Sequence, residues 1–209
     1  MNSLIKTTAS FVQVHLFAAD VPERDKKYRY EHSVRVCGIA NQIALAEKAN
    51  VRVCTLAGLL HDVGKFDAAD EKDHARVSGK VARPFLETLD LPQQEIDDIC
   101  YAIAYHYDGD AGYPHDKTKE AELVSDADNI DRFTPIHMMQ FGNLNEKNID
   151  LLKSDLLARI EKLETYRKKP PLSLPTSNRM FQKSVDDMLH LCKILFAQLE
   201  RTTLDHLKL

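Results

Sequence analysis

With 209 residues, 44% hydrophobic and 29% charged, the chain has the composition of a globular protein with enough apolar material for a sizeable core. A formal net charge of −4 offers no basic footprint for DNA or RNA, so no nucleic-acid partner is expected. No apolar run approaches the ~18 residues of a membrane span and no apolar leader opens the chain, so no membrane partner is expected and the expected location is cytoplasmic.

Apolar residues recur at helical spacing almost everywhere and sustained alternation occurs nowhere, which predicts an all-α fold. Helices are predicted over 3–19, 28–48, 51–62, 72–89, 93–106 and 118–131. Two longer ones, about 147–168 and 177–203, follow Thr134-Pro135. The Asp20-Val21-Pro22 turn ends the first, and Leu91-Pro92 separates the fourth from the fifth, because proline tolerates a helix start but not an interior. Residues 108–116, DGDAGYPHD, are a loop by composition. The chain is read as a single domain over 1–209: a core of about 28–135 and a helical extension of about 140–209 that completes the core or a homodimer contact. In the last helix Phe181, Val185, Met188, Cys192, Leu195 and Leu199 form one apolar stripe, expected to pack on Leu152, Leu156, Ile160 and Leu163. Cys37, Cys54, Cys100 and Cys192 are widely spaced without a CxxC pair, the pattern of reduced buried thiols rather than of a disulfide frame or zinc knuckle.

The most informative stretch is 55–65, TLAGLLHDVGK, an apolar run that ends on His61-Asp62 and stops at Gly64. Imidazole and carboxylate both ligate divalent metals. Four more residues are aimed the same way. His32 stands in line with Val36, Ile39 and Ile43, and His74 with Val77, Val81 and Phe85. His106 closes the face of Ile96, Ile99 and Ile103, and Asp128 follows Val124 by one turn. A single inward histidine is ordinarily a hydrogen-bonded core residue. Six inward imidazoles and carboxylates converging on one point are hard to explain without a cation, because a bare buried carboxylate is strongly disfavoured.

The order His32, then His61-Asp62, then Asp128, within YEHSVRV, AGLLHDVGK and VSDADNIDRF, resembles the signature of the HD-domain superfamily of metal-dependent phosphohydrolases. The likeness covers roughly residues 28–135. It implies an all-α core in which His32, His61, Asp62 and Asp128 ligate a first divalent metal, with Asp126 the alternative to Asp128. HARVSGKVARPF at 74–85 and YAIAYH at 101–106 resemble the further histidine segments of HD subfamilies with a second metal. Asp62 would then bridge, with His74 and His106 on the second ion. In a single-metal site the same two histidines line the substrate pocket.

A mixed nitrogen and oxygen donor set suits Mn, Fe, Co, Ni or Zn, with Mg the least suited candidate, in one or two ions. Such a metal activates water and polarises a phosphoryl oxygen, the chemistry that hydrolysis of a phosphate ester or anhydride requires. The expected partner is therefore a small phosphorylated substrate such as a nucleotide. Lys65 is the candidate for holding a phosphate oxygen, set against an ordinary helix-end lysine. Arg35 and Arg132 are further positive charges for substrate, and Arg35 is equally a candidate structural partner of an aspartate. Asp131 is a candidate general base or ligand-orienting group, set against a surface carboxylate. Gly112-Tyr113-Pro114 is similar to an element of the HD-GYP cyclic-di-GMP phosphodiesterases. The paired histidines and glutamate that should precede it are missing, and both the Asp-Gly to Gly-Tyr-Pro and the Asp62 to His74 spacings depart from that pattern. It is read as a substrate-loop candidate, with cyclic-dinucleotide hydrolysis the minor reading. A two-iron oxygenase and a metal-containing regulatory module without turnover complete the alternatives. His15, His115, His137, His190 and His206 are assigned no chemistry.

Overall fold

A computed structural model describes residues 2–141 and 148–202. Helix accounts for 77% of the described residues, and among them there is no strand. The helices are α1 (Asn2–Ala18), α2 (Glu23–Glu47), α3 (Val51–Leu60), α4 (His74–Leu86), α5 (Gln93–Tyr105), α6 (Lys119–Arg132), α7 (Pro135–Phe141), α8 (Ile149–Lys168) and α9 (Pro175–Leu199), with 3₁₀ turns at Glu71–Asp73 and Glu200–Thr202. None of the described helices is long and apolar enough to cross a membrane. The expectations for residues 142–147 and beyond 202 lie outside the described residues.

The chain divides into two compact units. The first, residues 1–131 with 173–177, contains α1 to α5 and most of α6; the second comprises 132–172 and 178–209. In the first unit α2 ends where Lys48 takes a left-handed conformation (φ 52°) and its N–H bonds the Ala44 carbonyl. Two residues later the Asn50 side chain accepts from the N–H groups of Arg52 and Val53 and starts α3. This short, capped turn sends α3 back against α2, and the contact is close because of Gly58. A Cβ there would stand 3.1 Å from Ala40 Cβ and 3.2 Å from the Cys37 Cα. Every residue from Val53 to Gly64 is buried. Val12, Leu16, Leu86, Ile99, Ile103 and Val124 share one apolar cluster with Leu56 and Leu60 of that segment, and removing a buried Leu or Ile side chain from such a core costs about 2–5 kcal/mol.

Two details depart from the pattern expected for α4. The 72–89 segment is a 3₁₀ turn followed by a helix that ends at Leu86, with Pro84 in its last turn. The buried positions are His74, Ala75, Ser78, Gly79, Ala82 and Leu86, while Val77, Val81 and Phe85 are half-buried. Small residues win the inner face because backbones come together there. A Cβ at Gly64 would meet Ser78 N at 2.8 Å, and one at Gly79 would meet the Cys100 carbonyl at 3.3 Å. The Gly64 N–H also donates to Ser78 Oγ (3.0 Å). Helix α2 begins at Glu23, earlier than expected, since charged 23–27 continues a helix as readily as apolar residues do.

In the second unit Phe133, Tyr166 and Phe181 form an edge-to-face aromatic trio with centroids 5.0–5.9 Å apart. Leu156, Leu163, Phe181, Val185, Met188 and Cys192 are buried, as the two stripes predict. The short α7 was not expected from the pattern: seven residues are too few to show a period. All four cysteines are buried and unbridged.

Candidate metal centre

Each inward histidine is aimed by the bond its Nδ1 makes. The Nδ1–H of His61 donates to the Gly58 carbonyl (2.8 Å), that of His106 to the Ile103 carbonyl (2.7 Å) and that of His74 to the Glu71 carbonyl (2.5 Å). His61 and His106 stand just past the last turns of α3 and α5, and His74 opens α4 after the 3₁₀ turn. His32, in the middle of α2, gives its Nδ1–H to Asp131 Oδ2 (2.7 Å), and Arg35 fixes Asp131 through bonds of 2.7 and 3.1 Å. A carbonyl can only accept. Neutral His61, His74 and His106 therefore carry their proton on Nδ1, and their Nε2 lone pairs face inward.

Those four Nε2 atoms surround Asp62. Its Oδ2 lies 3.7 Å from His32 Nε2 and 3.4 Å from His61 Nε2; its Oδ1 lies 3.3 Å from His74 Nε2 and 3.9 Å from His106 Nε2. Asp128 Oδ1 adds contacts of 3.1 Å to His32 and 3.9 Å to His61, and the His32 and His61 Nε2 atoms are 3.1 Å apart. Two overlapping groups, His32–His61–Asp128 and His61–Asp62–His106, have their donor atoms within 4.8 Å of one another, all buried.

This donor set fits a divalent cation. Asp62 Oδ1 is buried without a hydrogen-bond partner, a costly state that a cation would relieve. The His32 and His61 Nε2 atoms, the Asp62 carboxylate and Asp128 Oδ1 crowd together in the core, an arrangement that a shared cation would satisfy. Nitrogen donors from histidine and oxygen donors from aspartate make a mixed set of the kind that holds Mn, Fe, Co, Ni or Zn.

The electrostatics differ across the cluster. Burial opposes a charge on His32, but hydrogen bonds to Asp128 and Asp131 overcome it and raise its pKa to about 9. Burial, reinforced by His61, pushes His106 down to about 4, and burial lowers His74 as well. Burial would raise the carboxyl of Asp62, yet Arg29 and then the histidines hold it well below the usual carboxylate range.

All six residues expected to converge do so. Asp128 faces His32, whereas the Asp126 carboxylate accepts the backbone N–H groups of Ser173 and Leu174 (3.2 Å each) and takes no part in the cluster. Asp131 is fully buried with both oxygens engaged by His32 and Arg35, so the general-base expectation gives way to the orienting one. Arg35 is correspondingly the partner of an aspartate rather than a group turned to substrate. Lys65 Nζ pairs with Glu71 Oε1 (2.6 Å); its side chain is 11% exposed and that of Glu71 is 69%. Arg132 opens the second unit. The sequence reading missed Arg29, whose Nη1 donates to Asp62 Oδ2 and whose Nε is buried without a partner. Its signal was its position three residues before His32, on the same helical face.

An all-α unit whose helices deliver His, His-Asp and Asp to one buried point defines a class, and the sequence agrees. The HD domain family matches residues 29–132, and the chain belongs to the HD-domain superfamily. Among curated proteins it is similar to Ribonuclease Y of Rubrobacter xylanophilus, 34% identical over 106 residues that make up 50% of this chain and 18% of that protein. It is also similar to Ribonuclease Y of Nitratidesulfovibrio vulgaris strain Hildenborough, 26% identical over 65% of this chain and 32% of that protein. The chain thus spans about a fifth to a third of the length of these relatives. Among solved structures the fold is similar to a predicted HD superfamily hydrolase from an uncultured Thermotogales bacterium, with TM-score 0.62, 18% identity and coverage of 90% of this chain and 91% of that one. Bacillus subtilis YpgQ, solved in complex with ADP, gives TM-score 0.62 at 15% identity over 93% of this chain and 97% of the other. At such identities these likenesses speak for the fold alone.

Proposed function

We propose that the protein is a metal-dependent phosphohydrolase acting on a phosphate ester or anhydride of a nucleotide or another small phosphorylated molecule. The observation that carries this reading is the orphaned, buried Oδ1 of Asp62 facing two inward imidazole nitrogens while Oδ2 faces two more. His32, His61, Asp62 and Asp128 would hold one divalent ion; His74 and His106 would hold a second, with Asp62 shared. A divalent ion there supplies Lewis acidity to a phosphoryl oxygen and brings the ionisation of water toward neutral pH.

The chain's own residues supply the rest. Asp131 and Arg35 keep the His32 tautomer with its Nε2 free to coordinate, the support that carboxylates commonly give to ligating histidines. Arg29 neutralises Asp62, which keeps that carboxylate ionised inside the core. Among the described residues the Lys65 ammonium is tethered by the exposed Glu71 carboxylate alone, so exchanging that partner for a phosphate oxygen costs little. An RNA phosphodiester is the second reading, favoured by the similarity to proteins named Ribonuclease Y and opposed by the net charge of −4.

Purified protein should be screened with added Mn against p-nitrophenyl phosphate esters, a nucleotide panel and a short single-stranded RNA, with Asp62→Ala as control. Release of phosphate or p-nitrophenol that vanishes in Asp62→Ala supports the first reading, and RNA cleavage that vanishes in it supports the second. Oxygen consumption by the iron-loaded protein without hydrolysis, or no turnover on any substrate, overturns both.

A further inference from the structure

A cavity distinct from the metal cluster lies in the first unit. It occupies about 380 Å³ between α4 and α5 and is closed on its third side by the loop that follows His106. None of the six clustered histidines and aspartates lines it. Along α4 it runs from Arg76 to Glu87, so at 1.5 Å per residue its far end is roughly 20 Å of helix from His74.

The walls of the cavity differ in chemistry. The floor consists of Gly79, Ala104, Ala111 and Cys100, small and uncharged, and Tyr113 stands at the edge with 43% of its surface exposed. Burial pushes the Tyr113 phenol up to about 12, so it is a neutral donor with an apolar ring. Opposite stand three cations, Arg76, Lys80 and Arg83, against one lining carboxylate, Glu87. Arg83 is satisfied by Asp97 (2.8 Å), with Glu87 at 3.9 Å. Arg76 is braced by Asp108 (2.7 Å), and Gly112, at φ +77°, lets the loop lie so close to it that a Cβ would come within 3.1 Å of its Cδ. Lys80 is exposed and makes no ion pair among the described residues. The loop itself is preorganised: Asp108 accepts from Asp110 N (3.1 Å) and Asp110 from Gly112 N (2.8 Å).

An uncommitted ammonium, a braced guanidinium and a floor of small uncharged residues beside a tyrosine are the elements that recognise a ring carrying an anionic group. We infer that this cleft is a binding site for a ring-bearing phosphate of nucleoside monophosphate size, independent of the metal cluster. Lys80 meets the phosphate, and Tyr113 covers the ring. The inference goes beyond the proposed hydrolytic activity and does not depend on it.

The test titrates AMP into the full-length chain by calorimetry in EDTA, so that nothing is turned over. The wild type is compared with Asp62→Ala, Lys80→Glu and Tyr113→Ala, and thermal melts verify each fold. Affinity within twofold of wild type in Asp62→Ala, with at least a tenfold loss in Lys80→Glu and in Tyr113→Ala, is the expected result. Both of the latter side chains are exposed, so their substitution leaves the core intact. Adenosine should bind more weakly than AMP and be indifferent to Lys80→Glu, which assigns the lysine to the phosphate. Binding that disappears in Asp62→Ala but survives Lys80→Glu would move the nucleotide to the metal cluster and overturn the proposal, as would no AMP binding at millimolar concentration. Neither result contradicts the hydrolase reading, which the Mn-dependent screen tests separately.

Discussion

The two oxygens of Asp62 look out on half-sites made of the same ligand types but differently supported. On the Oδ2 side, His32 is backed by Asp131 and Arg35 and faced by Asp128, and its proton affinity is raised to about 9. On the Oδ1 side, His74 and His106 are held only by backbone carbonyls, and burial pushes His106 down to about 4. Asp128 beside the ring and Asp131 behind it decide this difference. Carboxylates behind and beside an imidazole make its site anionic and avid for any cation, proton or metal, whereas carbonyls merely orient a neutral ring. Unequal affinities are therefore expected: a tight ion on the His32 side and a weaker one on the His74 side.

The largest effect is expected from Asp62→Ala, which removes the carboxylate shared by both halves. Metal content should fall to background and hydrolysis with it, while the far-UV circular dichroism stays helical. Next comes the contrast between halves: His32→Ala should abolish the tighter phase of a Mn titration, and His106→Ala only the weaker. Calorimetry in which both variants lose the same phase would erase the asymmetry.

Proton linkage sharpens the same point. The folded pKa of His32 lies above its ordinary value of 6.5, so its contribution to metal-free stability is complete below pH 6.5 and is lost as pH rises through about 9. Denaturant melts in EDTA should lose up to about 3 kcal/mol between those pH values. Because a metal must displace that proton, Mn affinity should rise over the same interval. Asp131→Asn leaves the ligands in place and removes the charge behind His32. It should weaken the tight ion by about 10–100-fold and flatten the pH dependence. The smallest effect belongs to Lys65→Ala, expected to raise KM a few-fold with metal content and kcat little changed.

Much of this centre was legible before any coordinates, because helix periodicity fixes which face a residue occupies. His32, His106 and Asp128 each fell one or two turns from buried apolar neighbours, and the structure buries all three. What stayed hidden did so for identifiable reasons. Arg29 reads as a surface charge in a polar run, and its burial depends on a carboxylate 33 positions away that periodicity cannot connect to it. The inner face of α4 was misjudged because residue size, not hydrophobicity, governs a crossing as close as that of Gly64 over Ser78. The boundary between the two units falls at Asp131–Arg132, inside the helical span of α6, where composition carries no linker signal.

The central claim is that Asp62 organises a buried cation site with His32, His61, Asp128, His74 and His106. Elemental analysis of protein equilibrated with Mn and then desalted tests it most directly. One to two ions per chain in the wild type and none in Asp62→Ala is the predicted result. Equal metal content in the two proteins, or none in either, would contradict it.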